Sequence, residues 1–222
     1  MHIGLIGGIG PAATDFYYRG LIDRHAAAGV PLEVTICHAD VREMSRNLMA
    51  GNPGRQAEIF ARLVERMKAA GAKAAAITSM GGHFCVRELV AISPLPILNA
   101  IPAVDAALAR RKLKRVGIIG TRTVMETRLY GGIPSVEVVP TLGEDLDRVH
   151  ANYVEMATIG HVNDAQRQVF FEAGRRLIER GAEAIMLGGT DLFLAFVGHE
   201  PGFPVIDCAD IHVDALYATS TA

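Results

Sequence analysis

The sequence predicts an α/β protein built from two similar halves, each a parallel sheet wrapped by helices. Two observations carry this: short apolar strands alternate with amphipathic helices, and three phrases recur in the same order at nearly one spacing. IGLIGGIG (Ile3 to Gly10) is echoed by VGIIGTRT (Val116 to Thr123), and GAKAAAITS (Gly71 to Ser79) by GAEAIMLGG (Gly181 to Gly189). PILNAIPAVDAAL (Pro96 to Leu108) is echoed by PVIDCADIHVDAL (Pro204 to Leu216), and the three offsets are 113, 110 and 108 residues. The expected division is 1–102 for the first half and 103–207 for the second, with a C-terminal helix over 208–222 returning to the first.

Taken in order, the first apolar strand closes at Gly7, and GGIGPAAT (Gly7 to Thr14) follows as a glycine-rich turn with Pro11 suited to a helix's first turn. Such a turn presents backbone N–H groups to a carboxylate or phosphate, which makes Gly8 and Ile9 candidate binding residues. It is not a dinucleotide fingerprint, because Ala13 stands where the third glycine of GxGxxG belongs, and no nucleotide cofactor is expected. Glu58 to Ala70 places Ile59, Leu63 and Met67 on one helical face, and Gln166 to Arg180 does the same with Val169, Ala173 and Leu177. Both helices end at a glycine just before a strand. In a parallel sheet ligands collect at the carboxyl ends of strands, here after Gly7, Ser79, Gly120 and Gly189. An approximate twofold would place these ends across a shared cleft, with Ser79 facing Gly189.

Several side chains at these ends can do chemistry, each beside a plainer reading. Thr121 offers a hydroxyl or caps a helix. His83 handles a proton or opens the next helix. Asp191 accepts a proton or, the favoured reading, satisfies the amides of a helix start. Asp207 is expected in a turn and His212 to be partly buried. His38, Asp40 and His83 lack a recognisable ligand spacing, so no metal is expected. Twenty-two basic against twenty-four acidic side chains, a net charge of −2, form no basic stripe, so nucleic acid is not an expected partner. Short, interrupted apolar runs and a strand at the very start point to a cytoplasmic protein that no membrane holds. Cys37, Cys85 and Cys208 are an odd number without a CxxC, which fits buried small hydrophobes better than disulfides or zinc.

GGIGPAATDFYYRGLID, LGGTDL and PVIDCADIH resemble the GGMGPEAT, LGCTE and PVxDTTxxH motifs of the aspartate/glutamate racemase superfamily. The resemblance runs nearly the whole length and implies two pseudo-symmetric Rossmann-like halves with a cleft between them, no cofactor, a homo-oligomer such as a dimer, and a small carboxylic or amino acid substrate. It also implies a mechanism in which a cysteine of CNTAH removes the α-proton and a cysteine of LGCTE delivers one to the opposite face. Ser79 stands at the first of these positions and Gly189 at the second. A serine hydroxyl is far less acidic than a thiol, and glycine has nothing to protonate. Cys85 falls in the expected following helix, and Cys208 replaces a threonine of the DTT turn. Thr121 and Thr190 match substrate-contacting threonines, Met80 and Gly81 replace an Asn and a Thr, and ADVREMS leaves Arg42 or Arg46 to hold a distal carboxylate.

The expected function is therefore an isomerase- or lyase-type enzyme of this superfamily that lacks the two-cysteine base pair. It would decarboxylate, eliminate, isomerise or cyclise a small carboxylate. Ser79, His83 and Asp191 are the expected catalytic residues, with substrate contacts at Gly8, Ile9, Met80, Gly81, Thr121, Gly189 and Thr190. The alternatives are a catalytically silent carboxylate-binding protein and an amino-acid racemase using displaced groups.

Overall fold

Strand β1 (Ile3–Gly7) is buried along its whole length because it is hydrogen-bonded on both edges, to β2 (Val34–His38) and to β3 (Ala74–Ile77), both parallel. The computed structural model describes residues 1–222 and divides the chain into two units, Met1–Asn99 with His212–Ala222, and Ala100–Ile211. The sheet of the first unit runs β2-β1-β3. Its fourth place is filled by a single parallel bridge, Ala75 to Ile97, with the Ala75 amide 2.9 Å from the Pro96 carbonyl.

In the second unit β4 (Arg115–Ile119), β5 (Glu137–Pro140), β6 (Ala184–Leu187) and β7 (Val205–Asp207) form a parallel sheet in the order β5-β4-β6-β7. Ile3 lies opposite Ala74 in one sheet and Val116 opposite Ala184 in the other, the register that the offsets of the repeated phrases require. The Ile185 amide is 2.9 Å from the Pro204 carbonyl, repeating the Ala75 to Pro96 bond.

The helices of the first repeat are α1 (Pro11–Ala28), α2 (Val41–Met49), α3 (Pro53–Ala69), α4 (Val86–Ile92) and α5 (Ala100–Arg111). Those of the second are α6 (Arg122–Glu126), α7 (Gly143–Ile159), α8 (Asp164–Glu179), α9 (Phe193–Phe196) and α10 (Cys208–Thr221). Ile59, Leu63 and Met67 on α3 are buried, as are Ala173 and Leu177 on α8, while Val169 is only partly covered. Both helices begin before the apolar pattern does. Asn52 and Asn163 accept a hydrogen bond from the backbone N–H three residues on, and Asn163 forms a full capping box with Gln166. The helices rest directly on the central strands. A Cβ on Gly4 would overlap the Met67 side chain, and one on Gly117 would lie 2.9 Å from Leu177 Cβ, at the equivalent place in the repeat.

The halves part company after the central strand. The run after β1 makes an 18-residue helix, whereas the run after β4 makes only five residues of α6. Beyond α6 the chain turns left-handed at three consecutive non-glycine residues, Arg128, Leu129 and Tyr130, with φ of 53°, 57° and 59°. Burial of Leu129 and a 2.9 Å hydrogen bond from the Tyr130 amide to Thr127 Oγ1 hold this turn against a cost of roughly 1–2 kcal/mol per residue. The two compact units divide between Asn99 and Ala100, just before α5, and the first turn of α10 counts with the second unit. No helix is long and apolar enough to cross a membrane.

If the left-handed turn is strained, exposed Arg128 is the place to relieve it. Arg128→Gly is expected to raise the unfolding free energy by about 1 kcal/mol in a urea titration, since glycine adopts this conformation without steric cost. A loss of stability would show that Arg128 is unstrained.

Candidate functional site

In the first unit the end of β3 is tied to β1 by Thr78, whose Oγ1 donates to the Ile6 carbonyl at 3.0 Å. Ser79 follows, nearly buried, and its Oγ accepts the Gly82 N–H at 3.2 Å, which tightens a single 3₁₀ turn over Gly81–Cys85. The Ser79 hydroxyl donates to no protein acceptor. Met80 is fully buried beside it, and Gly81 opens the turn. His83 closes the arrangement from below: Nδ1 donates to the Ser79 carbonyl at 2.7 Å.

His83 is completely enclosed, and burial pushes its pKa down to about 4. Its ring meets that of His212 edge-on at 5.9 Å. His212, expected to be partly covered, has no exposed surface. Its Nε2 donates to the Leu98 carbonyl at 2.8 Å and its Nδ1 accepts from Tyr17 Oη at 2.9 Å. Burial, with the neighbouring His83 adding to it, pushes His212 down to about 3. Both rings are neutral at physiological pH, and His83 acts on the turn as a fixed donor.

The glycine-rich turn is internally satisfied at Gly8, whose N–H is donated to Thr14 Oγ1 at 2.9 Å. Gly8 has φ of +87°, and a Cβ there would run into the His38 ring. Ile9 reaches the Ser79 turn: its Cδ1 would lie 3.2 Å from a Cβ on Gly82. Asp40 caps α2 through the Arg42 N–H at 2.7 Å and pairs with the Arg42 guanidinium, while Arg46 is exposed on the same helix.

In the second unit the Gly188 N–H donates to the Ile119 carbonyl at 2.8 Å, the counterpart of Thr78 on Ile6. Thr121 is the cap of α6, accepting from the Val124 N–H at 3.5 Å. Gly189 has φ −117° and ψ 125°, a backbone any residue adopts, so conformation does not require glycine there. Space does. A Cβ on Gly189 would lie 2.7 Å from Cζ of Tyr153 and closer still to Cε2. Tyr153 projects from α7 with only 7% of its surface exposed, and its Oη donates to Asp191 Oδ2 at 3.0 Å.

Asp191 is buried in the short 3₁₀ turn Thr190–Leu192, and its carboxylate thus meets a side chain from α7 that the helix-start reading did not include. Burial, then the Asp191 charge, then the hydrogen bond to it hold the Tyr153 phenol well above its usual pKa; the nearby Thr190 hydroxyl opposes this only weakly. Thr190 Oγ1 is buried and completes no hydrogen bond of normal geometry. Tyr153 escaped the sequence reading. The signal that could have found it is a strand-end glycine with no conformational need to be one.

The thiols sit elsewhere in their units. Cys85 ends the 3₁₀ turn, one residue before α4 and not inside it, donates to the Gly82 carbonyl at 3.5 Å, and is pushed up to about 12 by burial and then by Glu88. Cys208 begins α10, fully buried, and burial followed by the Asp207 charge holds it well above a normal thiol. Cys37 is half-buried on β2, opposite Ile6. A cavity of about 530 Å³ opens in the second unit around α9, the 197–203 loop and β7, and Asp207 lines it, whereas Gly189, Thr190 and Asp191 do not. Asp207 takes its expected turn role, accepting from the Ala209 and Asp210 amides at 2.8 and 3.3 Å, and burial raises its carboxyl to about 6.

A family model described as Asp/Glu/Hydantoin racemase matches residues 6–216. A crystallised Yersinia pestis protein described as an Asp/Glu racemase superposes with a TM-score of 0.86 at 23% identity, covering 100% of both chains. An aspartate racemase homologue from Pyrococcus horikoshii OT3 gives 0.79 at 23% identity over 100% of this chain and 99% of its own. Glutamate racemase from Francisella tularensis, solved with D-glutamate, gives 0.68 at 16% identity over 99% of this chain and 81% of its own. At these identities the structural likeness is one of fold.

The buried histidines make stability depend on pH with a defined sign. Between pH 6.5 and about 4 the unfolded chain binds protons that folded His83 does not, so their contribution is lost as pH falls through that window. Asp207, raised to about 6, works the other way between its ordinary 3.8 and 6. Urea titrations are expected to show unfolding free energy falling from pH 6.5 to 4, less steeply in His83→Gln and more steeply in Asp207→Asn. Equal slopes in wild type and His83→Gln would contradict a buried neutral His83.

Proposed function

The chain belongs to the Asp/Glu/Hydantoin racemase family, and we propose that it is a cofactor-independent enzyme of that family whose chemistry on a small carboxylic or amino acid is not two-thiol inversion. One observation carries the reading: position 189 has no side chain, and the space one would take is filled by the Tyr153 ring. Position 79 holds a hydroxyl in place of a thiol. The two thiols with displaced pKa, Cys85 and Cys208, are held in their protonated form by burial, which argues against their serving as relocated bases.

In this reading Ser79 donates its uncommitted hydroxyl hydrogen to the oxygen on which charge develops as a carbanion forms beside a carboxylate. In the second unit, taken by itself, Thr190 offers a buried hydroxyl whose hydrogen bonding a ligand would complete. His83 positions Ser79 through its carbonyl, and Asp191 with Tyr153 forms the proton-handling end. Gly8 contributes shape more than a donor, because Thr14 takes its N–H. Decarboxylation, elimination and isomerisation can pass through the stabilised carbanion, ring closure by acyl attack draws on the same oxyanion donor, and none of the four needs a second thiol. The proposal extends to a cytoplasmic location, which the short apolar runs suggest, and to a homo-oligomer, which the family resemblance implies.

The test is turnover and α-hydrogen exchange in deuterated water, followed by NMR, across a panel of malonic, hydroxy and amino acids. At least one acid is expected to turn over, and Ser79→Ala to lower kcat by about 10²-fold, the usual cost of one lost oxyanion donor. Exchange of aspartate or glutamate at ordinary enzymatic rates would overturn the proposal. Ligand-induced thermal stabilisation without any product would instead support the silent carboxylate-binding alternative.

A further inference from the structure

We infer that Tyr153 is the group that replaces the missing side chain at position 189, and that its phenol hydroxyl delivers the proton to the carbanion in the second half of the molecule. The inference rests on the function proposed above and assigns a residue that no sequence motif marks.

Its first support is steric. Gly189 and Tyr153 are complementary: the glycine has an unstrained backbone, and a Cβ there would overlap Tyr153 Cε2 and lie 2.7 Å from Cζ. Removing a side chain from a strand end ordinarily leaves a void that neighbours fill with carbon. Here the filling group also brings a hydroxyl to the end of β6, beside Thr190 and Asp191. A leucine or phenylalanine would fill the space as well without leaving a polar atom to satisfy in an otherwise apolar core of Val149, Met156, Phe170 and Leu187.

The second support is electrostatic. Asp191 accepts from Tyr153 Oη at 3.0 Å with both side chains buried. Burial first, and the Asp191 carboxylate after it, favour the phenol over the phenolate, so the hydroxyl rests in its proton-bearing form, as a donor requires. In the step proposed, the carbanion's electron pair takes the hydrogen from Tyr153 Oη. A C–H bond forms, the O–H bond breaks, and a phenolate remains beside Asp191. That phenolate, repelled by the carboxylate, recovers a proton from solvent water, so one water-derived hydrogen enters each product molecule, always on one face.

Tyr153→Phe keeps the ring against Gly189 and removes only the donor. With an acid that the wild type turns over, the expected result is a kcat reduced by about 10²-fold or more, in line with loss of a general acid, with KM nearly unchanged and the melting temperature lowered, because the buried Asp191 carboxylate loses a hydrogen-bond donor. Deuterium in the residual product is expected to lose its single-face preference. A variant as fast and as stereospecific as wild type would overturn the inference and leave the proposed function standing, whereas a wild type inert towards the whole panel would overturn both. Should Tyr153→Phe not fold, the decision comes from Tyr153→Ala with and without Gly189→Cys. A gain of at least about tenfold on adding the thiol supports a proton donor at this place, and equal rates overturn it.

Discussion

A strand hydrogen-bonded on both edges and buried on both faces cannot slip by one residue without turning its whole apolar set over, and β1 and β4 are both such strands. Their registers with β3 and β6 are the same in the two units, down to the main-chain bond that Thr78 makes to Ile6 and Gly188 to Ile119. Glycine at positions 4 and 117 lets α3 and α8 rest directly on the central strands, so those registers are locked from the helix side as well. Ser79 and Gly189 are therefore delivered to equivalent strand ends by backbone geometry alone, whatever their side chains do.

What each end carries has diverged. The first is a polar turn organised inward: a serine hydroxyl held by a backbone amide, and a neutral histidine fixed on the same residue's carbonyl. The second is an apolar core with one buried phenol and one buried carboxylate sharing a hydrogen bond. Neither end presents a thiol. Steric exclusion decides the second end more firmly than electrostatics, because a Cβ 2.7 Å from an aromatic carbon lies well inside van der Waals contact, whereas the phenol–carboxylate contact could be remade by water.

Most of the architecture was legible in the chain because it follows from repetition and periodicity. The offsets of the three repeated phrases already contain the strand register, and the i, i+4 apolar steps locate the buried faces of α3 and α8. What was not legible depends on contacts distant in sequence. The Tyr153 to Asp191 bond spans 38 residues, and nothing in HANYVEM marks one aromatic as filling a gap on a strand. The left-handed residues 128–130 that follow the short α6 likewise carry a fully buried Leu129, a tertiary contact that no local propensity encodes. His212 is expected from the sequence to be partly buried and is instead fully enclosed, against His83, Tyr17 and the Leu98 carbonyl.

The mutual exclusion of Tyr153 and a side chain at 189 is measured most directly by a double-mutant cycle in stability. Gly189→Ala is expected to cost about 1–3 kcal/mol in the wild type, as overpacking does. In Tyr153→Ala it should be neutral or slightly stabilising, since the backbone there already suits alanine. An equal cost in both backgrounds would mean that the ring does not occupy that space, and the account of the second strand end would be wrong.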